Sequence, residues 1–370
     1  MTRKEAFLTA LRLETPDVVP VAPLIHCRFA NELLGRTDWQ AVFEVHQMLG
    51  STHFRGPIGV GYGAQGESPW RAETRTLEEE GAYSVTETVY TGPGDPLRAV
   101  DVRGMIPHDP ITHKRTEYPV KSPEDWRTVH AMQENWLARA TEPWYGQAAE
   151  AYELMGEDGV ASVGIGAVYG AMGNWRGMQE LMYDLYDIPE LIHEVREAFQ
   201  ACSAKYVEAF LASPCEVGWY DICWATGSNL SPAMFEEFVM PDVRMVCEMV
   251  RGVPGKFVGL YTLGRIRELL PMLVEAGPHF IETFEPNQGD ITLREAKQLY
   301  GRDTCIMGNF DCVLLARGTV EQCRQEALRC LDEAMEGGGY ISLTGDEVPA
   351  DATMDNLRAW VETVAEHGRY

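Results

Sequence analysis

The chain has no run of about 18 apolar residues, the length needed to span a bilayer. Its opening stretch, MTRKEAFLTALRLETPDVVP, also lacks the apolar core of a secretory signal. A cytoplasmic protein without a membrane partner is expected. Positive charge is scarce: 31 Lys and Arg stand against 56 Asp and Glu, a net charge of −25. That balance repels nucleic acid and anionic surfaces, so small molecules or another protein are the expected partners. The nine cysteines are scattered and include no CxxC pair. An odd set of this kind signals neither a disulfide framework nor a zinc ribbon, and the thiols are expected to be reduced and packed. The glycine-rich GPIGVGYGAQGE at 56–67 contains no GxxxxGK[ST]. Its one GxGxxG (Gly61, Gly63, Gly66) is not followed by a convincing helix. A phosphate loop is therefore not expected, and the stretch is taken as an active-site rim. No internal repeat or low-complexity linker interrupts the 370 residues, and one domain is expected.

What the chain does have is a regular alternation of apolar runs and helical periods. Residues 301–351 show it most clearly: a buried strand at 304–307, a polar loop at 308–311, an amphipathic helix at 320–336, a second strand at 340–343 and a second polar loop at 344–351. Earlier, a helix at 3–13 feeds an apolar run at 18–25, helical patterns follow at 29–34 and 39–49, and a second strand is expected at 53–60. From 70 to 120 short alternating segments split by Gly and Pro replace the helical period, which predicts antiparallel hairpins outside the main core. They could serve as a lid or as the contact of a homodimer. Ser122-Pro123-Glu124-Asp125 predicts a helix start, with helices to about 155. Further strands are expected at 159–166, 216–223, 256–260 and 279–283, separated by helices that break near Pro189 and Pro241. Eight strands alternating with helices, with no dinucleotide fingerprint at the start, predict a (β/α)8 TIM barrel with an inserted β-hairpin region near 70–120.

In such a barrel the chemistry collects at the C-terminal ends of the strands. Those ends carry His26 and Arg28, Arg55, Tyr169, Trp219 and Asp221, Tyr261, Glu282 and Glu285, Asn309 and Asp311, and Asp346 and Glu347. Barrel closure predicts that Asp221, Tyr261, Glu282 and Asp346 share one pocket with His26 at its wall. Arg28, Tyr169, Trp219, Asn309 and Asp311 are candidate substrate contacts. Acids held together raise one another's pKa, so at least one should be able to donate a proton. Plainer roles stand beside these: His26 as a structural histidine, Asp221 and Asp311 as helix caps, and Trp219 as core or rim.

Several segments also carry a family likeness. TRKEAFLTALRLETPDVVPV, EYPVKSPEDW, NWRGMQELMYDLYDIPEL, GSNLSPAMFEEFVMP, and GNFD followed by GGGYISLTGDEVPADATMDNLRAW resemble the uroporphyrinogen decarboxylase superfamily. They look most like its corrinoid-dependent methyltransferase branch. The resemblance implies a (β/α)8 barrel over nearly the whole chain. The decarboxylases carry an Arg-Gln-Ala-Gly-Arg segment after strand one and a histidine in the last loop. Here those places read Ile25-His26-Cys27-Arg28-Phe29 and Asp346. One arginine and a new acid make a poor cradle for a substrate with many carboxylates. Thiol-methylating members bind zinc through His-x-Cys after strand five and a Cys in the last loop. Tyr261, Leu263 and Asp346 stand there, so the usual zinc ligands are replaced. The resemblance then implies an O-demethylase type of enzyme, which moves a methyl group from a small methylated donor to the cobalt of a corrinoid (cobalamin) carried by a partner protein. Tyr261, His26, Asp221, Glu282 and Asp346 could protonate the leaving oxygen, and Trp219 and Tyr169 could stack on an aromatic donor. A lyase acting on a small carboxylated substrate, anchored by Arg28 and Arg55, is the alternative. A non-catalytic ligand-binding barrel is a third.

Overall fold

The computed structural model describes every residue except 55–57, 107–108 and 110. The chain divides into two compact units, Met1–Val60 with Tyr145–Ile165 and Val207–Tyr370, and Gly61–Trp144 with Gly166–Tyr206. The sequence carries no linker to mark that division.

The first unit is built on a parallel sheet whose strands lie side by side in chain order: Ser162–Ile165, Val217–Asp221, Phe257–Tyr261, Phe280–Thr283, Cys305–Phe310 and Tyr340–Thr344. The last four are buried at every residue, as strands covered on both faces must be, and the first two nearly so. Two irregular segments close the ring. Ala22 N–H donates to Ser342 O (2.9 Å), Ser342 N–H to Pro20 O (2.8 Å) and Thr52 N–H to Val21 O (2.8 Å). Val160 N–H then donates to His53 O (2.8 Å), and Gly59 bridges Gly164 in parallel. The segment at 18–25 forms bridges rather than the continuous strand expected, because Pro20 and Pro23 have no N–H to give a ladder. The result is the (β/α)8 barrel predicted from the alternation.

One end of the barrel is plugged. Val217, Phe257, Phe280 and Cys305 are the first residues of their strands, and they share a core cluster with Phe7, Ala10 and Leu11 of the helix Arg3–Leu11. Phe54 stacks on Phe7 at 5.0 Å and meets Phe280 edge-on at 5.6 Å. Polar groups are thereby left to the opposite, C-terminal end.

Two expectations need correction here. Residues 308–310 are strand and not loop: the polar Asn309 is tolerated inside because its amide donates to Phe284 O (2.9 Å) and its oxygen accepts from Arg329 Nη2 (2.9 Å). Between the strands at Phe257–Tyr261 and Phe280–Thr283, where a helix is expected to fill the interval, the α-helix is confined to Leu270–Glu275. Ahead of it, the N–H groups of Gly264, Ile266 and Arg267 are taken by the carboxylates of Glu285 and Asp290, which hold that stretch in a loop.

The second unit holds the hairpins as predicted. Arg71–Glu80, Tyr83–Thr91, Leu97–Arg103 and His113–Glu117 form one antiparallel sheet in that order, and none pairs with the barrel strands. Gly61–Ala64 pairs with Ala140–Trp144, a strand interrupting the helices expected to run on to 155. Helix Pro123–Arg139 opens with a complete capping box between Ser122 and Asp125. Its Trp126 Nε1–H donates to Asp184 (2.7 Å), which also takes two hydrogen bonds from Arg176. Among the described residues no helix is long and apolar enough to cross a membrane.

Candidate active site

Register decides which side chains meet. Asp221 lies opposite Tyr261 on the next strand, and Tyr261 opposite Glu282 on the one after. Since residues paired across parallel strands project to the same face, these three form a row at one level of the barrel. Trp219, two residues before Asp221, shares that face and lies over Tyr261 with ring centroids 5.1 Å apart. Its Nε1–H donates to the fully buried carboxylate of Glu282. The Tyr261 hydroxyl, on a side chain only 4% exposed, donates to Asp346 Oδ1 at 3.0 Å. That same oxygen accepts from Glu347 N–H at 2.7 Å. Glu282, Trp219, Tyr261 and Asp346 are therefore connected without a gap, from the strand interior to the last loop.

Beyond Glu282 the backbone turns abruptly, with two consecutive non-glycine residues at positive φ, Thr283 (84°) and Phe284 (48°). A β-branched residue there is a genuine outlier, of the kind that costs of order 1 to 3 kcal/mol and clusters at functional sites. The turn aims Glu285 back toward the mouth, where its carboxylate accepts from Gly264 N–H (3.1 Å). Burial, with a further push from the charge of Asp346, raises the Glu285 pKa above the ordinary carboxylate range. Cys312 stands in the same field. Burial above all, then Asp346, Asp311 and Glu285, pushes its thiol up to about 11, so it is protonated and unreactive at neutral pH.

A cavity of about 230 Å³ opens inside the barrel, lined among the described residues by His26, Cys27, Ile58, Ser162, Trp219 and Glu347 together with aliphatic neighbours. His26 is the N-cap of helix Cys27–Leu34 and not a strand residue, and its Nδ1 lies 3.2 Å from the Cys27 thiol. Asp221, Tyr261, Glu282 and Asp346, expected to share one pocket with His26, are not among its described lining residues; Trp219 is the link between this cavity and the row behind it. Among the described lining residues there is no Lys or Arg, and Glu347 is the one carboxylate.

The remaining predicted residues have other duties. Arg28 is ion-paired with Glu347 at 3.0 Å. Asn309 is locked between Phe284 and Arg329 inside a strand, where it orders the backbone. Asp311 caps helix Cys312–Arg317 through Val313 N–H (3.0 Å) and accepts from Asn287 (3.0 Å), which is the plainer of its two expected roles. Asp221 holds Cys223 N–H (2.9 Å), a local turn contact that leaves it in the row. Tyr169 is not at a strand end: it belongs to helix Val168–Arg176 of the second unit, where burial raises its hydroxyl to about 12. Arg55 lies outside the described residues. Glu285 appeared in the sequence as one more strand-end acid, and only the positive-φ turn gives it its place. Cys27 and Ser162 line the cavity without any sequence signal that set them apart. Among the described residues no three His, Cys, Asp or Glu side chains are grouped as metal ligands, and Leu263 packs against the core.

Comparison with known proteins agrees with this architecture. A family model described as uroporphyrinogen decarboxylase (URO-D) matches residues 149–367. A uroporphyrinogen decarboxylase from Gloeobacter violaceus is 25% identical over 284 residues, covering 76% of this chain and 77% of its own. Another, from Crocosphaera subtropica, is 26% identical over 179 residues, 48% of each chain. A solved structure of a methyltransferase from Methanosarcina mazei superposes with a TM-score of 0.69 over 99% of both chains at 17% identity, a likeness of fold.

Proposed function

The chain belongs to the uroporphyrinogen decarboxylase family, and from that premise we propose that it is a methyltransferase taking a methyl group from a small, uncharged methylated donor, a methyl ether such as a methoxylated aromatic. The acceptor substrate is the cobalt of a reduced corrinoid carried by a separate protein. The observation that carries this reading is the cavity: about 230 Å³, walled by Trp219 and aliphatic side chains, with no Lys or Arg among its described lining residues. A polycarboxylate would have to shed its hydration there with no cation among the described lining residues to replace it, and it would face Glu347 as well. Of the two arginines that would anchor a small carboxylated substrate, Arg28 is already engaged by Glu347 and Arg55 lies outside the described residues. A neutral aromatic ether loses little on entering, and Trp219 offers it a ring face.

The chemistry needs a proton. When the methyl–oxygen bond breaks, the methyl carbon goes to the acceptor and the bonding pair stays on oxygen, which leaves slowly unless it is protonated. In this reading the proton source is the Tyr261–Asp346 pair with the neighbouring Glu285, whose raised pKa keeps a proton available at higher pH than an ordinary carboxyl; it lies behind the cavity lining, next to Glu347, which lines the cavity and whose N–H holds Asp346. Glu282 fixes Trp219 through the indole N–H and thereby sets the cavity wall. Zinc does not fit the residues that stand at the family's zinc positions: Tyr261 gives its hydroxyl to Asp346, and Leu263 has no donor atom.

The test is to incubate the enzyme with free cob(I)alamin and a panel of methoxybenzenes, following the methyl–cobalt absorbance and the free phenol. Both should rise together for at least one donor. Carbon dioxide release from a carboxylated panel, with no methyl–cobalt formed, would replace this reading with the lyase.

A further inference from the structure

The second unit contains a hollow of about 270 Å³ that the reaction does not use, lined by Trp70, Arg71, Tyr90, Asn135, Trp136 and Arg139 with small neighbours. None of its described lining residues belongs to the barrel. Its charge is opposite to that of the protein. In a chain of net charge −25 this hollow has two guanidinium groups and no carboxylate among its described lining residues.

Neither guanidinium is neutralised by an acid. Arg139 gives Nε to Gln65 O (3.0 Å) and Nη2 to Gly66 O (2.9 Å), both carbonyls, so its charge is held in place but not cancelled. Arg71, the first residue of strand Arg71–Glu80, has no ion pair or side-chain hydrogen bond among the described residues, although Glu73 is two residues on in the same strand. By contrast, Arg75, Arg98 and Arg115 of the same hairpins are all paired with acids.

The rest of the lining is aromatic and amide. Trp136 is held parallel to Tyr206 (5.9 Å between centroids, 5° between planes), so its indole is fixed before any ligand arrives. Asn135 accepts the Ser68 hydroxyl at 3.4 Å through its oxygen and adds amide donors to the wall. Trp136 and Gln133 are also shared with an adjoining hollow of about 250 Å³ lined by Phe199, Cys202 and Tyr206. A flat ring thus has aromatic surfaces to stack on, and a planar anion meets the unengaged fork of Arg71 with the fixed charge of Arg139 as the second cation.

We propose that this hollow is a second ligand site, for a small aromatic carboxylate, with the ring against Trp136 and Trp70 and the carboxylate on Arg71 and Arg139. The site is independent of the methyl-transfer reading, because it is judged by binding alone.

Isothermal titration of the full chain with benzoate tests it. Benzoate should bind, Arg71→Gln should weaken it by about tenfold or more, and Trp136→Leu should do likewise. His26→Ala, in the barrel cavity, should leave it unchanged. Arg71 is exposed, and thermal melts of Arg71→Gln should match the wild type, which separates loss of binding from loss of fold. Benzamide binding as well as benzoate would overturn the anion site, and cyclohexanecarboxylate binding as well would overturn the aromatic one. The proposal also fails if wild type does not bind benzoate, or if binding survives Arg71→Gln with Arg139→Gln or disappears with His26→Ala.

Discussion

Replacing Tyr261 with Phe removes one hydroxyl and leaves the ring that packs on Trp219 at 5.1 Å. Asp346 Oδ1 loses one of two donors, Tyr261 at 3.0 Å, and keeps the Glu347 N–H at 2.7 Å. A hydrogen bond to a charged group contributes about 1.5 to 3 kcal/mol when buried. Asp346 is half-buried, and water replaces part of the lost donor, so the expected stability loss is about 1 to 1.5 kcal/mol in urea denaturation. If the hydroxyl were only a strut, and all of that loss fell on the transition state, the rate would drop about tenfold. General-acid catalysis is worth about 10² to 10⁴ in rate. The predicted outcome for Tyr261→Phe is therefore a fall in kcat of at least about a hundredfold at saturating donor, larger than its stability cost allows. Asp346→Asn should fall with it, since the amide keeps the shape but not the charge. The assay is methyl–cobalt formation with cob(I)alamin, alongside the urea midpoint of each variant. Rates within about tenfold of wild type in both variants, with the stability loss as stated, would refute the proton-donor role and leave the pair structural.

Two further outcomes are expected. The Glu285 pKa is raised above its ordinary value of 4.5, so between that value and the folded one the native state holds a proton that the unfolded chain has lost. That contribution to stability is present at low pH and is lost as pH rises through the folded pKa; Glu285→Gln should flatten this part of the stability–pH curve, and an unchanged slope would show that the shift is not felt. Asn309→Ala removes the contacts to Phe284 and Arg329 inside a strand, and should cost about 2 to 4 kcal/mol in denaturant unfolding while leaving the donor KM unchanged. A raised KM at unchanged stability would return Asn309 to the substrate contacts.

What the sequence by itself determined was whatever depends on local pattern. Hydrophobic period is set by neighbours a few residues apart, so helices such as Trp39–Leu49 and Val320–Ala334, the helix start at Ser122, and the hairpins between 70 and 120 were readable from the chain. The barrel followed because alternating strands and helices have few ways to close. Strand-end position was enough to expect Tyr261, Asp346, Glu282 and Trp219 near one another, and their side chains do touch. What only the tertiary structure decided was which partner each polar group finds. Asn309 read as a loop residue because its satisfying groups, Phe284 O and Arg329, are 25 and 20 residues away. Tyr169 moved from a strand end to a helix of the other unit. Glu285 gained its raised pKa from burial and from the charge of Asp346, a residue of another loop, neither of which its own position in the chain announces. The uncompensated guanidiniums of Arg71 and Arg139 are invisible in a composition dominated by acids, because charge neutralisation acts over a few ångströms and not over the length of the chain.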